Sequence, residues 1–131
     1  MPEAKKCIPC ESMDKSALLD DDQIEEKLET FPLWKLSYGD KLCRKFTAKN
    51  FQSALDAIND IGVIAEREGH HPDLHLTSYR DVEIVIYTHS LKGLTENDFS
   101  LASMIDEEVK VMYSPKWLKS NPDAQKTQKE T

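Results

Sequence analysis

No apolar run in the 131-residue chain approaches the roughly 20 residues that span a bilayer. Its start, Met1-Pro2-Glu3-Ala4-Lys5-Lys6, leads into polar sequence and not into the apolar core of a signal peptide. The expectation is a soluble, cytoplasmic protein, with a nuclear location left open. There is no GxGxxG, no phosphate-binding loop and no nucleophile elbow, so nothing implies nucleotide binding or acyl transfer. Basic charge is also short. With 17 Lys and Arg against 24 Asp and Glu the net charge is -7, which repels phosphate backbones and argues against direct nucleic-acid binding. Cysteine is scarce: Cys7 and Cys10 form a lone Cys-x-x-Cys and Cys43 is isolated, an odd count without framework spacing that suits a reducing compartment.

What is present suits one globular domain. The chain is 39% hydrophobic and 31% charged, and a chain of this length buries roughly two thirds of its unfolded surface. Charge is uneven, since residues 1 to 30 carry nine acids against four lysines and the rest is nearly balanced. Residues 1–17 lack apolar periodicity and residues 114–131 are polar, so both read as flexible ends around an organised body, 18–113.

Within that body, Asp20 with Gln23 has capping-box spacing before Ile24 and Leu28, predicting a short helix that ends at Pro32. Trp34, Leu36 and Tyr38 alternate, Gly39-Asp40 can turn, and Leu42, Arg44 and Phe46 alternate again, which predicts a hairpin. Phe51, Ala54, Leu55, Ile58, Ile61 and Ala65 then predict one stripe of a long helix stopped by Gly69. A second hairpin is expected from Leu74 to Tyr79 and Val82 to His89 around Arg80-Asp81, with Val82, Ile84 and Ile86 inside. Thr95 to Asp98 repeats the capping spacing ahead of Phe99, Ala102, Ile105 and Val109. The order α-β-β-α-β-β-α predicts an α+β, two-layer fold: a four-stranded antiparallel sheet with three helices on one face.

Chemistry points to Glu66, His70, His71 and His89, because three of the four histidines fall at element ends. Two imidazoles flanking a ligand can hold one protonated and one neutral form, as general acid-base work requires. Three readings stand beside each other here. Such histidines often cap or face solvent; they can serve acid-base catalysis; and His70, His71, His75 and His89 could bind metal, although no HExxH or second Cys-x-x-Cys accompanies them. Cys7 and Cys10 read as part of a flexible tail more readily than as a redox or zinc pair. Asp98 has a structural reading as a cap partner, and Trp34 and Tyr79 as ordinary hairpin aromatics.

Taken as one string, Glu66-x-x-x-His70-His71-Pro72, then Tyr79, His89 and Asp98 after six, nine and eight intervening residues, closely resembles the signature of the pterin-4a-carbinolamine dehydratases. Phe31-Pro32-Leu33-Trp34, Arg44-x-Phe46, Phe51-x-x-Ala54 and Thr88-His89-x-x-x-Gly93-Leu94-Thr95-x-x-Asp98 resemble that family too, so the likeness covers about residues 18 to 110. It implies a four-stranded sheet with three helices and dehydration of 4a-hydroxytetrahydropterin to the quinonoid dihydropterin, in tetrahydrobiopterin recycling, without metal or organic cofactor. By matching position, His70 and His89 would form the acid-base pair, His71 would polarise the 4a-hydroxyl region and Glu66 would support the histidines or the pterin. Asp98 would position at the site edge and Trp34 would form pocket wall.

The sequence departs from animal members at Asn97, where they tend to carry arginine, at Gly69, where asparagine is frequent, and in the Cys7/Cys10 segment. The resemblance also implies a homodimer or homotetramer, with the sheet edge as a physical route. Some animal members associate with a homeodomain transcription factor, but nothing in this sequence supports carrying that partner over. A non-catalytic dimerisation cofactor on the same fold is the alternative reading, because fold alone does not fix activity.

Overall fold

The structure, a computed structural model, describes residues 18–38, 41–88, 93–122 and 124. Asp20 caps α1 (Asp21–Leu28) in the expected box: its carboxylate accepts from Gln23 N at 2.8 Å, and Gln23 Oε1 accepts from Asp20 N at 2.9 Å. Strands β1 (Lys35–Ser37) and β2 (Lys41–Thr47) follow, with the expected Gly39-Asp40 turn outside the described residues. Helix α2 (Phe51–Glu68) leads to β3 (Asp73–Thr77) and β4 (Asp81–Ile86), and α3 (Glu96–Glu108) completes the order read from the sequence. The strands form one antiparallel sheet in the order β1-β2-β4-β3.

Register explains which side is covered. Leu42 pairs with Ile86, Arg44 with Ile84 and Phe46 with Val82, and β3 adds Leu74 and Leu76 to the last two rows. These residues share a core with Ala54, Ala57, Ile61 and Ile64 of α2 and with Phe99, Leu101, Ala102 and Ile105 of α3. Period-2 strands thus give one face to the helices, and each fully buried Ile or Leu there contributes about 1.5–3 kcal/mol. The opposite face carries Lys45, Glu83 and His75 in one row. No helix among the described residues is long and apolar enough to cross a membrane.

Three local expectations change. The buried stripe of α2 is Ala54, Ala57, Ile61, Ile64 and Ala65, while Phe51 is 49% exposed and Leu55 and Ile58 are only half-buried. Tyr79 belongs to the turn and not to a strand: Ser78 and Tyr79 adopt φ of 48° and 57°, the left-handed region in which a tight hairpin turn matches the twist of its strands.

The third change concerns the segment expected to be a polar tail, which opens with a fourth helix, α4 (Pro115–Ser120). Ser114 caps it and Pro115 occupies its first turn, a favourable helix start. Tyr113 bridges to Ala48, Ser114 N donates to Thr47 O at 2.9 Å, and Trp117 stacks on Tyr113 with ring centroids 5.0 Å apart. The aromatic pair and these backbone contacts with Thr47 and Ala48 together anchor this segment beside β2.

Candidate active site

Helix α2 ends as its sequence requires. Gly69 takes φ 65°, its N–H donates to Glu66 O at 3.3 Å, and His70 N donates to Ala65 O at 3.2 Å. This double closure reverses the chain within two residues, and glycine supplies the left-handed position without Cβ strain. It delivers His70, 4% exposed, against the start of α3.

There Asp98, fully buried, occupies the third position of α3 and accepts from Thr95 N at 2.7 Å through Oδ2. Its other oxygen, Oδ1, lies 2.6 Å from His70 Nε2. Thr88 Oγ1 donates to Oδ2 at 2.9 Å. With Oδ2 taking the Thr95 N–H and the Thr88 hydroxyl, Oδ1 is the oxygen left to pair with His70 Nε2, and an ionised carboxylate there accepts from the tautomer that carries its proton on Nε2.

His71 faces the other way. Its Nε2 is 2.7 Å from Glu66 Oε1, and both side chains are largely exposed, at 62% and 80%. The site thus sets a buried imidazole on a buried carboxylate next to a solvent-facing imidazole on an exposed one. His89 lies outside the described residues; Thr88 and Gly93, on either side of the 89–92 segment, are bridged by Thr88 N donating to Gly93 O at 2.9 Å.

Of the residues marked from the sequence, the structure gathers Glu66, His70, His71 and Asp98. It does not bring Trp34 to them. The indole Nε1 donates to both oxygens of Asp106 at 3.0 Å, and Asp106 also takes Arg44 Nη1 at 2.8 Å, while Arg44 Nη2 donates to Tyr113 Oη. Asp106 is eight residues beyond Asp98 on α3, about 12 Å along the helix. Trp34 therefore does the work of a buried partner: it helps solvate a carboxylate that burial holds above the usual range, with Arg44 pulling the other way.

Thr95 is the cap partner of Asp98 that its spacing predicts, and Thr88 is the residue beside it that the sequence does not single out. Thr88 and Thr95 are fully buried and their hydroxyls are 3.0 Å apart beneath Asp98. Their signal was available in the Thr88-to-Asp98 string, but the chemistry of a threonine is visible only once its neighbour is known. Among the described residues, no group of three or more His, Cys, Asp or Glu is placed to hold a metal ion. Cys7 and Cys10 lie outside the described residues. A cleft of about 400 Å³ between the outer sheet face and α4, lined by Lys45, Thr47, Asp81, Glu83 and Trp117, contains none of the marked residues.

The fold is an α+β domain in which a buried histidine-carboxylate pair joins the end of one helix to the start of another. Residues 17–108 match the family model for pterin 4 alpha carbinolamine dehydratase. The chain belongs to that family. It is 42% identical over 106 residues to pterin-4-alpha-carbinolamine dehydratase 2, mitochondrial, of Arabidopsis thaliana, a match covering 79% of this chain and 56% of the other, so it spans little more than half of that longer relative. A protein of Alkaliphilus metalliredigens, provisionally named a pterin-4-alpha-carbinolamine dehydratase, is 41% identical over 104 residues, 79% of this chain and 92% of its own. The fold also matches a crystal structure described as a transcriptional coactivator/pterin dehydratase from Brucella melitensis, with a TM-score of 0.65 and 26% identity, over 71% of this chain and 99% of that one.

Proposed function

We propose that the protein dehydrates 4a-hydroxytetrahydropterin to the quinonoid dihydropterin by histidine acid-base catalysis, and so serves tetrahydrobiopterin recycling. The observation that carries this reading is the buried His70–Asp98 pair, 2.6 Å between Nε2 and Oδ1, next to the exposed His71–Glu66 pair. The reaction breaks the C4a–O bond, with one proton delivered to the departing hydroxyl and one removed from a ring nitrogen whose electrons form the new C=N bond. Atoms and charge balance with water as the only other product.

In this reading His70 moves its proton at Nδ1 while Asp98 keeps the ring oriented, and His89 is its acid-base counterpart. His71, oriented by Glu66, polarises the 4a-hydroxyl from the solvent side. Two positioned imidazoles supply roughly 100- to 10,000-fold, enough to outrun a reaction that also proceeds unassisted. No metal or organic cofactor has a part in this scheme. The test is the dehydration of substrate generated in situ, followed by absorbance, with and without protein and with chelator present. Acceleration that survives the chelator supports the reading; a rate equal to the unassisted one with folded protein rejects it.

The likeness to the Brucella protein, described as a transcriptional coactivator/pterin dehydratase, favours one second reading, a protein-binding module on the same fold. Association with a protein partner that survives loss of the histidines would select it. Self-association through the open edge of β3, as a dimer or tetramer, and a cytoplasmic location complete the proposal; sedimentation and cell imaging test them.

A further inference from the structure

We infer that Thr88 is a positioning residue for the His70–Asp98 pair, holding Asp98 so that Oδ1 meets His70. The inference rests on the dehydratase reading and extends it one layer beneath the histidines. Thr88 is fully buried, and its side chain makes no contact with solvent that would explain a hydroxyl there. Valine has nearly the same shape and would seal the same space.

The hydroxyls have a definite direction. Thr88 Oγ1 has a single proton, given to Asp98 Oδ2 at 2.9 Å. The 3.0 Å contact between Thr88 Oγ1 and Thr95 Oγ1 must then run from Thr95 to Thr88, since each hydroxyl has one proton and two lone pairs. Thr95 also gives its backbone N–H to Oδ2 at 2.7 Å, and its own Oγ1 is 3.4 Å from the same oxygen. Two donors, the Thr88 hydroxyl and the Thr95 N–H, thus converge on Oδ2, which leaves Oδ1 to His70 Nε2 at 2.6 Å.

A carboxylate turns about one bond, so what holds Oδ2 also fixes the direction in which Oδ1 accepts. Thr88 comes from the end of the sheet, Thr95 from the cap of α3 and His70 from the end of α2. Three elements therefore meet at one carboxylate group. Without the Thr88 hydroxyl, the cap of α3 alone would hold Asp98, and the imidazole would lose the sheet as its reference. Thr88 N also donates to Gly93 O at 2.9 Å, so the backbone of the same residue is held as well as its hydroxyl.

The experiment uses the full chain labelled at histidine nitrogen. The Nε2 proton of His70, identified by its loss in His70→Gln, should exchange slowly with water in the wild type and survive in Thr88→Ser. In Thr88→Val it should exchange at least about 10-fold faster, and kcat should fall about 10-fold with KM little changed, the effect of losing one hydrogen bond to a charged group. Thr88→Cys, whose thiol is a weaker donor, should fall between and replaces the valine variant should that one fail to fold. A folded Thr88→Val that keeps both the protected proton and kcat would overturn the inference, whatever happens to its melting temperature. If the wild type itself fails to turn over substrate, the dehydratase reading falls, and the exchange rates still decide the placement of Asp98.

Discussion

His70 and Asp98 are 28 residues apart in the chain, yet the 2.6 Å bond between Nε2 and Oδ1 ties the residue just past the cap of α2 to the first turn of α3. Both partners are buried, so the bond has a structural and a chemical side. Asp98→Asn separates them poorly but informatively. The amide must turn its NH2 toward either Thr95 N–H or His70 Nε2–H, setting donor against donor in a buried site. The expected result is a loss of about 1–3 kcal/mol in urea unfolding together with a fall in turnover. Unchanged stability would show that Asp98 is not held as described.

His71 and Glu66 should behave differently, because both side chains face water. An exposed pair contributes little to stability, about 0–1 kcal/mol. His71→Ala and Glu66→Gln should therefore melt like the wild type while kcat/KM falls, most in His71→Ala. Equal losses of stability and activity would mean that the pair supports the fold and not the reaction.

Trp34 provides the converse test. Since its indole donates to Asp106, Trp34→Phe leaves that carboxylate with one donor fewer in a partly dry site and should cost about 1–3 kcal/mol. KM for the pterin should not change. A raised KM at wild-type stability would restore Trp34 to the pocket wall that the family resemblance suggested.

The outer sheet face sets a pH dependence of its own. Cys43 is 1% exposed and gives its thiol to Glu83 at 3.1 Å; burial first and that carboxylate second push the thiol up to about 11 from 9.0. Between those values the folded chain keeps a proton that the unfolded chain releases, so stability is intact below about pH 9 and falls as pH rises through about 11. Tyr38, bonded to Glu83, and Tyr113, which is buried, are also raised and act in the same direction. Cys43→Ser should flatten this alkaline decline in thermal melts. At pH 8 only on the order of one native Cys43 in 1,000 is thiolate, so peptide mapping should find it protected from iodoacetamide until the chain unfolds.

How much of this can be read from the sequence depends on distance along the chain. The Asp20 box, the Gly69 stop and the Thr95–Asp98 spacing are local, and local geometry decides them; the alternation in β2 and β4 likewise selects the inner face. The helix α4 is hidden because Tyr113 and Trp117 sit among lysines and serines, and the contacts of Tyr113 with Ala48 and of Ser114 with Thr47 are distant in sequence. Trp34 meets Asp106 across 72 residues, which no periodicity announces. The site itself is intermediate. Residue types and positions mark the histidines, but only folding shows that His70 turns inward to Asp98 while its neighbour His71 turns outward to Glu66.

The most direct test of the account is the dehydration rate of 4a-hydroxytetrahydropterin with wild type, His70→Ala and His89→Ala, chelator present and folding checked by circular dichroism. The account predicts acceleration by the wild type and a loss of most of it, roughly 100-fold or more, in each variant. Folded variants that retain the wild-type rate would contradict it.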